Sequence, residues 1–370
     1  MDGAPLFDRL GEPGTLAAAG AVIGFGFGFG FFAQRSRFCL RSAVIEFSRN
    51  LVGGKLTVWL FAFATALVAT QALTLLGAFS AAEARQISAR GSLSGAAIGG
   101  ALFGVGMILA RGCSSRLLVL AAQGNLRSVM SGLVFAVVAQ ASWTGLLAPA
   151  REALAGLWTV DGGAARDLVQ RLHIGHGGAL AFGLVWLAAA VFWARRQRVP
   201  AWGWAGAVGV GLTIAAAWWA TYAIAKSAFD PHPIQALSFT GPSAEVLTRT
   251  LFASDKPLNF DLGLMPGVFL GSFVAAWWFK ELKLEGFSGG APMRRAMIGA
   301  ACMGFGGMLA GGCAVGAGLS GAAVFTITSW VTLCAIWAAA ALTDRLVDQR
   351  PQAATPLDEA MPGHPAAAST

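Results

Sequence analysis

Charge is scarce in this chain. Only 12% of its 370 residues are Asp, Glu, Lys or Arg, against 56% hydrophobic residues. That leaves too few polar groups to coat a water-soluble globule of this size and places the chain in a bilayer. Histidine is rare, and the five cysteines lack the paired spacing of a secreted disulfide framework. Cys39, Cys113, Cys302, Cys313 and Cys334 all lie in or beside apolar segments and read as thiols. The start of the chain, Met1 to Gly14, carries Asp2, Asp8 and Glu12 and lacks the basic region that precedes a cleaved leader, so no signal peptide is expected. No strand or Walker-type lysine accompanies Gly24, Gly26, Gly28 and Gly30, which argues against a nucleotide loop. Interleaved with Phe25, Phe27 and Phe29, they read as a helix-packing face. The formal charge of +8 does not point to nucleic acid, because the arginines and lysines sit in short patches at the ends of apolar segments.

What the chain has is long apolar runs. About nine of them are of the length that crosses ~30 Å of hydrocarbon. They lie near 14–34, 56–79, 92–111, 127–148, 177–194, 203–225, 263–280, 294–311 and 325–346. Shorter apolar stretches near 38–48, 113–123, 232–240 and 313–323 cannot cross and suit re-entrant half-helices. The fold class expected is therefore an all-α polytopic membrane protein. Arg35, Arg37, Arg41, Arg49 and Lys55, then Arg195, Arg196 and Arg198, then Lys280, Lys283, Arg294 and Arg295 fall in loops that share one side. The positive-inside rule makes that side cytoplasmic, with a periplasmic N-terminus and a cytoplasmic C-terminus in the inner membrane.

Two stretches of the chain repeat one another. Ile98–Cys113 and Ile298–Cys313 agree at nine of sixteen positions at one constant offset, including Gly99/Gly299, Gly104/Gly304, Gly106/Gly306, Gly112/Gly312 and Cys113/Cys313. Because five crossings separate them, the two stretches run in opposite directions, and the halves are expected to be inverted repeats with a site where broken helices meet near the midplane. The organisation expected is 1–13 as a periplasmic segment, 14–148 as the first repeat and 149–202 as an external loop with a connecting helix. Then come 203–348 as the second repeat and 349–370 as a mobile cytoplasmic tail.

Arg111-Gly112-Cys113 and Gly311-Gly312-Cys313 each end a span, and glycine breaks the helix there. The next half-helix then presents free N–H groups, which attract anions. Cys113 and Cys313 are expected to face each other across a pseudo-twofold axis, and Cys39 to stand at an entrance beside Arg35, Arg37 and Arg41. Those arginines serve equally well as positive-inside anchors. Arg111 and Arg116 flank Cys113, where the second half has Gly311 and Gly316; they either touch substrate or snorkel to the surface. Cys302 and Cys334, within uninterrupted spans, read as packing. Three thiolates can hold zinc, but no histidine or carboxylate lies in these motifs, so neither a metal nor a cofactor is expected. A membrane thiol enzyme relaying sulfane sulfur as a cysteine persulfide stays open as an alternative, although no general base is apparent near a cysteine.

Gln34-Arg35-Ser36-Arg37-Phe38-Cys39-Leu40, Gly104 to Cys113, Gly267 to Phe273 and Gly304 to Cys313 together resemble the YeeE/YedE family of sulfur-compound transporters. The resemblance covers most of the chain. It implies an hourglass-shaped helical protein in which Cys39, Cys113 and Cys313 pass thiosulfate, or a similar small sulfur-containing anion, inward to a cytoplasmic TusA-like sulfurtransferase. The chain departs from the family pattern at Arg111 and at Ser114-Ser115-Arg116, which bears on the identity of the anion. A thiolate would repel a dianion while a neutral thiol donates a weak hydrogen bond, so the pathway thiols are expected to stay protonated.

Overall fold

A long apolar run with no water to satisfy its backbone has few ways to fold other than as a helix. The computed structural model describes residues 13–49, 53–227, 233–252, 260–286 and 289–348. The expected N-terminal segment up to residue 12 and the expected tail from 349 lie outside the described residues. The first half contains α1 (Pro13–Ser36), α2 (Leu40–Ser48), α3 (Gly54–Leu75), α4 (Leu93–Leu109), α5 (Ser114–Ala122) and α6 (Leu126–Trp143). Two helices follow, α7 (Ala148–Gly156) and α8 (Gly175–Arg196). The second half contains α9 (Ala201–Ser227), α10 (Thr240–Phe252), α11 (Phe260–Trp278), α12 (Gly290–Leu309), a π-helical turn at Gly316–Gly321, and α13 (Ile327–Thr343).

Each of the expected spans is occupied by a long helix, and among the described residues 7 helical stretches are long and apolar enough to cross a membrane. The fold is all-α and polytopic. The strands among the described residues form one two-residue antiparallel pair, β1 (Gly91–Ser92) with β2 (Thr159–Val160).

Two expected half-helices differ. The stretch 232–240 suits a half-helix in sequence, but residues 233–238 form no regular secondary structure and the helix begins at Thr240. The carbonyls that a helix would have used find other donors: Arg85 N–H to Ile234 O at 3.0 Å, Thr221 Oγ1 to Gln235 O at 2.8 Å and Ser320 Oγ to Leu237 O at 2.7 Å. The stretch 313–323 winds as a wide turn, with Ser320 N–H reaching Val315 O at 2.9 Å, because Gly316, Gly318 and Gly321 lower the resistance to an unusual pitch.

Packing between the halves repeats itself. Helix α1 lies along α11, and α9 along α3; α4 lies along α13, and α12 along α6. Helix α10 meets α6, as α2 meets α13; α5 rests on α11, as the 316–321 turn rests on α3. Every contact in this set has its counterpart when the halves are exchanged, and the pairs α1 with α9 and α4 with α12 map onto themselves.

Glycine makes these contacts possible, since helices in lipid associate through close backbone approach and not through a hydrophobic drive. A Cβ on Gly99 would stand 2.5 Å from Ala310 N, and one on Gly299 would stand 2.5 Å from Ala110 N. The Phe-Gly alternation of α1 works the same way, with Gly26 against the backbone of Leu264 and Gly267 against that of Ile23.

Residues 149–176 are more ordered than a plain loop. Ser92 Oγ donates to Ala155 O at 2.7 Å and Ser94 Oγ to Leu154 O at 2.8 Å, which fastens α7 over the start of α4. Arg166 then bridges Ala89 O and Thr328 Oγ1, both at 2.6 Å, joining the connector to both halves. Burial pushes its guanidinium pKa down to about 10, so it stays charged at neutral pH.

Gly106→Val and Gly299→Val should each destabilise the protein by about 1–3 kcal/mol through overpacking of the α4–α12 contact. Gly132→Ala, inside α6 where nothing lies within 4 Å, should cost nothing or raise the stability slightly. Thermal unfolding in detergent measures the difference.

Candidate functional site

Among the helix ends closed by a left-handed residue, three lead directly into a cysteine. After α1, Arg37 N–H bonds to Gln34 O at 3.2 Å and Phe38 N–H to Ala33 O at 3.1 Å. After α4, Arg111 N–H bonds to Ile108 O at 3.2 Å and Gly112 N–H to Met107 O at 3.1 Å. After α12, Gly311 N–H bonds to Met308 O at 3.3 Å and Gly312 N–H to Gly307 O at 3.0 Å. This is the Schellman closure, which needs one residue with left-handed backbone. Arg37 (φ 53°), Arg111 (φ 58°) and Gly311 (φ 74°) are those residues. Two positions later the chain reaches Cys39, Cys113 and Cys313, each extended or poised at the N-terminal end of the next helical segment.

The thiols therefore stand where a half-helix exposes its first N–H groups. Gly316 N–H points to Cys313 Sγ at 3.3 Å. The sulfurs of Cys39 and Cys113 face the equivalent N–H groups of Ser42 and Arg116 more loosely, short of a full capping bond. All three cysteines are buried, whereas Cys302 is half-buried and Cys334 is exposed on the helix surface.

The expectation that Cys113 and Cys313 face each other is corrected. The thiol that meets Cys113 belongs to Cys39. Antiparallel packing explains why: Gly99 touches Ala310 while Gly299 touches Ala110. The ends of α4 and α12 are thus eleven residues of helix apart, about 16 Å at 1.5 Å per residue. The breaks open at two depths, one holding Cys39 and Cys113, the other Cys313.

Polar side chains gather around the first pair. Cys113 Sγ lies 3.3 Å from Ser115 Oγ, and Ser114, 7% exposed, buries its Oγ without a partner. The guanidinium of Arg116 stands within electrostatic reach of both thiols and buries its Nη1 unpaired. It lines a cavity of about 360 Å³ with Gln34, Arg37, Gln123, Glu281 and Lys283. Glu281 organises the rim: it accepts from Gln34 Nε2 at 2.8 Å, pairs with Arg35 at 3.2 Å and lies 3.7 Å from Arg37. Gln123 in turn donates to Gln34. Gln123 and Glu281 were not singled out from the sequence; polar residues at the very ends of apolar runs were the available signal.

Arg111 is not part of this cavity. It is exposed, and the charged side chains it faces are Arg41 and Arg127. Arg127 donates to Ala110 O at 3.1 Å and so neutralises the carbonyl end of α4. Arg41 lies 3.6 Å from Asp348, and Arg49 pairs with the fully buried Asp344 at 2.9 Å; that bond holds the Arg49 pKa above its ordinary value. These pairs latch α2 to the end of α13.

Between the two depths the interior is aromatic. Phe29 of α1 packs 5.3 Å from Phe239 and 6.5 Å from Phe38, ring centre to ring centre, and all three are buried. Phe38 and Phe239 each immediately border a half-helix start.

A chain with repeated, thiol-tipped breaks inside a helical membrane fold invites comparison with known transporters. The model of the family described as sulphur transport matches residues 35–342. The chain belongs to the sulphur transport family. That match takes in both halves and all three breaks. A stretch of 116 residues is also 33% identical to the thiosulfate transporter TsuA of Escherichia coli strain K12. The similarity spans 31% of this chain and 33% of that protein, about a third of each.

An arginine in the left-handed region carries a penalty of about 1–2 kcal/mol that glycine avoids. Arg37→Gly and Arg111→Gly should therefore unfold at or above the temperature of the unmodified protein. A lower midpoint for either would mean that its side chain contributes more than the backbone loses.

Proposed function

We propose that this sulphur transport family member is an inner-membrane permease that takes up thiosulfate or a closely related small sulfur-containing anion. The observation that carries the proposal is the threefold recurrence of one device, a left-handed helix end followed two residues later by a buried cysteine at the start of a half-helix. The start of a helix favours an anion. A neutral thiol there can donate weakly to a soft terminal sulfur, which holds the ion loosely enough to release it to the next site.

In this reading Cys39, Cys113, Gly112, Ser114, Arg37 and Arg116 form one station of the pathway, and Cys313 with Gly312 forms the other. Arg116 supplies the positive charge. A buried guanidinium with an unpaired Nη1 is costly unless something negative visits it. The basic loops support a Cys39–Cys113 station toward the cytoplasm and a periplasmic N-terminus. Inward movement of a dianion against a 100 mV potential costs about 4.6 kcal/mol, so transport is coupled to an ion or drawn by consumption inside. A TusA-like sulfurtransferase at the cytoplasmic face would supply that draw.

The test is uptake of labelled thiosulfate into proteoliposomes. Cys113→Ala and Cys313→Ala should abolish uptake while leaving the unfolding temperature unchanged. Arg116→Ala should cut uptake at least about tenfold, the loss of one hydrogen bond to a charged group, and Arg111→Ala far less. Normal uptake by both cysteine variants would overturn the proposal.

A further inference from the structure

Exchange of the halves maps Cys113 onto Cys313, Arg116 onto Gly316 and Cys39 onto Phe239, each residue preceding or opening the matching half-helix. The Cys313 station therefore lacks both the second thiol and the guanidinium. What occupies their place is Ser238. A Cβ on Gly316 would stand 2.5 Å from Ser238 Oγ and 3.0 Å from Ser238 Cβ, so the missing side chain at 316 is the space the serine uses. Gly316 also donates its N–H to Cys313 Sγ at 3.3 Å, so one glycine borders both the thiol and the serine.

The hydroxyl is held there and left free. The segment that carries it is pinned by Thr221 on Gln235 O, Ser320 on Leu237 O and Ser243 on Phe239 O, at 2.8, 2.7 and 2.6 Å. Ala236, Leu237 and Phe239 are 3%, 0% and 0% exposed, whereas Ser238 between them is only half-buried. Among the described residues its hydroxyl has no hydrogen-bond partner. Close by in the chain, Thr240 is 2% exposed and buries an Oγ1 that likewise has none, on the first turn of α10.

We propose that Ser238 and Cys313 form a mixed hydroxyl–thiol site for a small anion carrying one soft sulfur and hard oxygens, and that Ser238 determines which anion the site admits. This rests on the permease reading above. Thiol and hydroxyl divide the anion between them: the thiol meets the soft sulfur, and the hydroxyl donates to a sulfonyl oxygen, a stronger bond than S–H can make. The two stations are consequently unequal. The Cys39–Cys113 station is soft and positively charged through Arg116; the Ser238–Cys313 station is neutral and reads oxygen as well as sulfur.

Labelled thiosulfate uptake into proteoliposomes, with unlabelled sulfite as competitor, tests this. Ser238→Ala should raise KM about tenfold, as expected for one hydrogen bond to a charged group, with the maximal rate retained. Ser238→Cys, which keeps the size and restores a thiol pair, should preserve thiosulfate uptake and weaken competition by sulfite. Isothermal titration of the purified Cys39→Ala/Cys113→Ala double variant with thiosulfate should show one site that Ser238→Ala weakens by the same factor. Normal uptake by both Cys113→Ala and Cys313→Ala would defeat the permease reading itself, and normal uptake by Cys313→Ala alone would overturn the Ser238–Cys313 site. Loss of uptake in Cys313→Ala, together with unmodified KM and sulfite competition in both Ser238 variants, would defeat only the role given to Ser238.

Discussion

A peptide group at membrane depth must find its hydrogen bonds inside the protein, and the architecture follows from how three helix breaks meet that demand. Each break returns two N–H groups to the helix it has just left, through a left-handed residue, and then starts the next segment with a cysteine. What remains unsatisfied is the small set of N–H groups at the start of the half-helix. Around Cys39 and Cys113, Ser114, Ser115 and Arg116 gather near that remainder.

The breaks can lie so deep only because the helices that carry them pack backbone to backbone. Gly99, Gly106, Gly299 and Gly306 bring α4 and α12 together in reciprocal contacts, and the same contacts hold their broken ends apart along the helix axes. One set of glycines thus both joins the halves and separates the sites. The latch of Arg49 on buried Asp344 and the bridge of Arg166 over the connector hold the outer parts of the same assembly.

Much of this was legible in the residues. The positions of the long helices followed from apolar run length, and the Gly-Cys duplication at a constant offset marked two of the breaks. The meeting of thiols was misjudged, because the repeat identifies which residues are equivalent without saying how far along antiparallel helices their equivalents lie. Cys39 finds Cys113 through tertiary folding that no local pattern encodes, and its own equivalent is Phe239, where no similarity survives. In the stretch 232–240 the apolar composition matches a half-helix, but the carbonyls of Ile234, Gln235 and Leu237 bond to distant donors and the helix begins only at Thr240. Ser238 carried no signal at all: one serine in an apolar run is unremarkable until Gly316 is seen beneath it.

Phe29 touches the aromatic residue at the mouth of each half, Phe38 on one side and Phe239 on the other. In a close-packed interior a ring cannot swing without its neighbours yielding room. A displacement of Phe38 or Phe239 therefore presses the shared ring toward the other, so the segments leading into the two half-helices cannot shift independently.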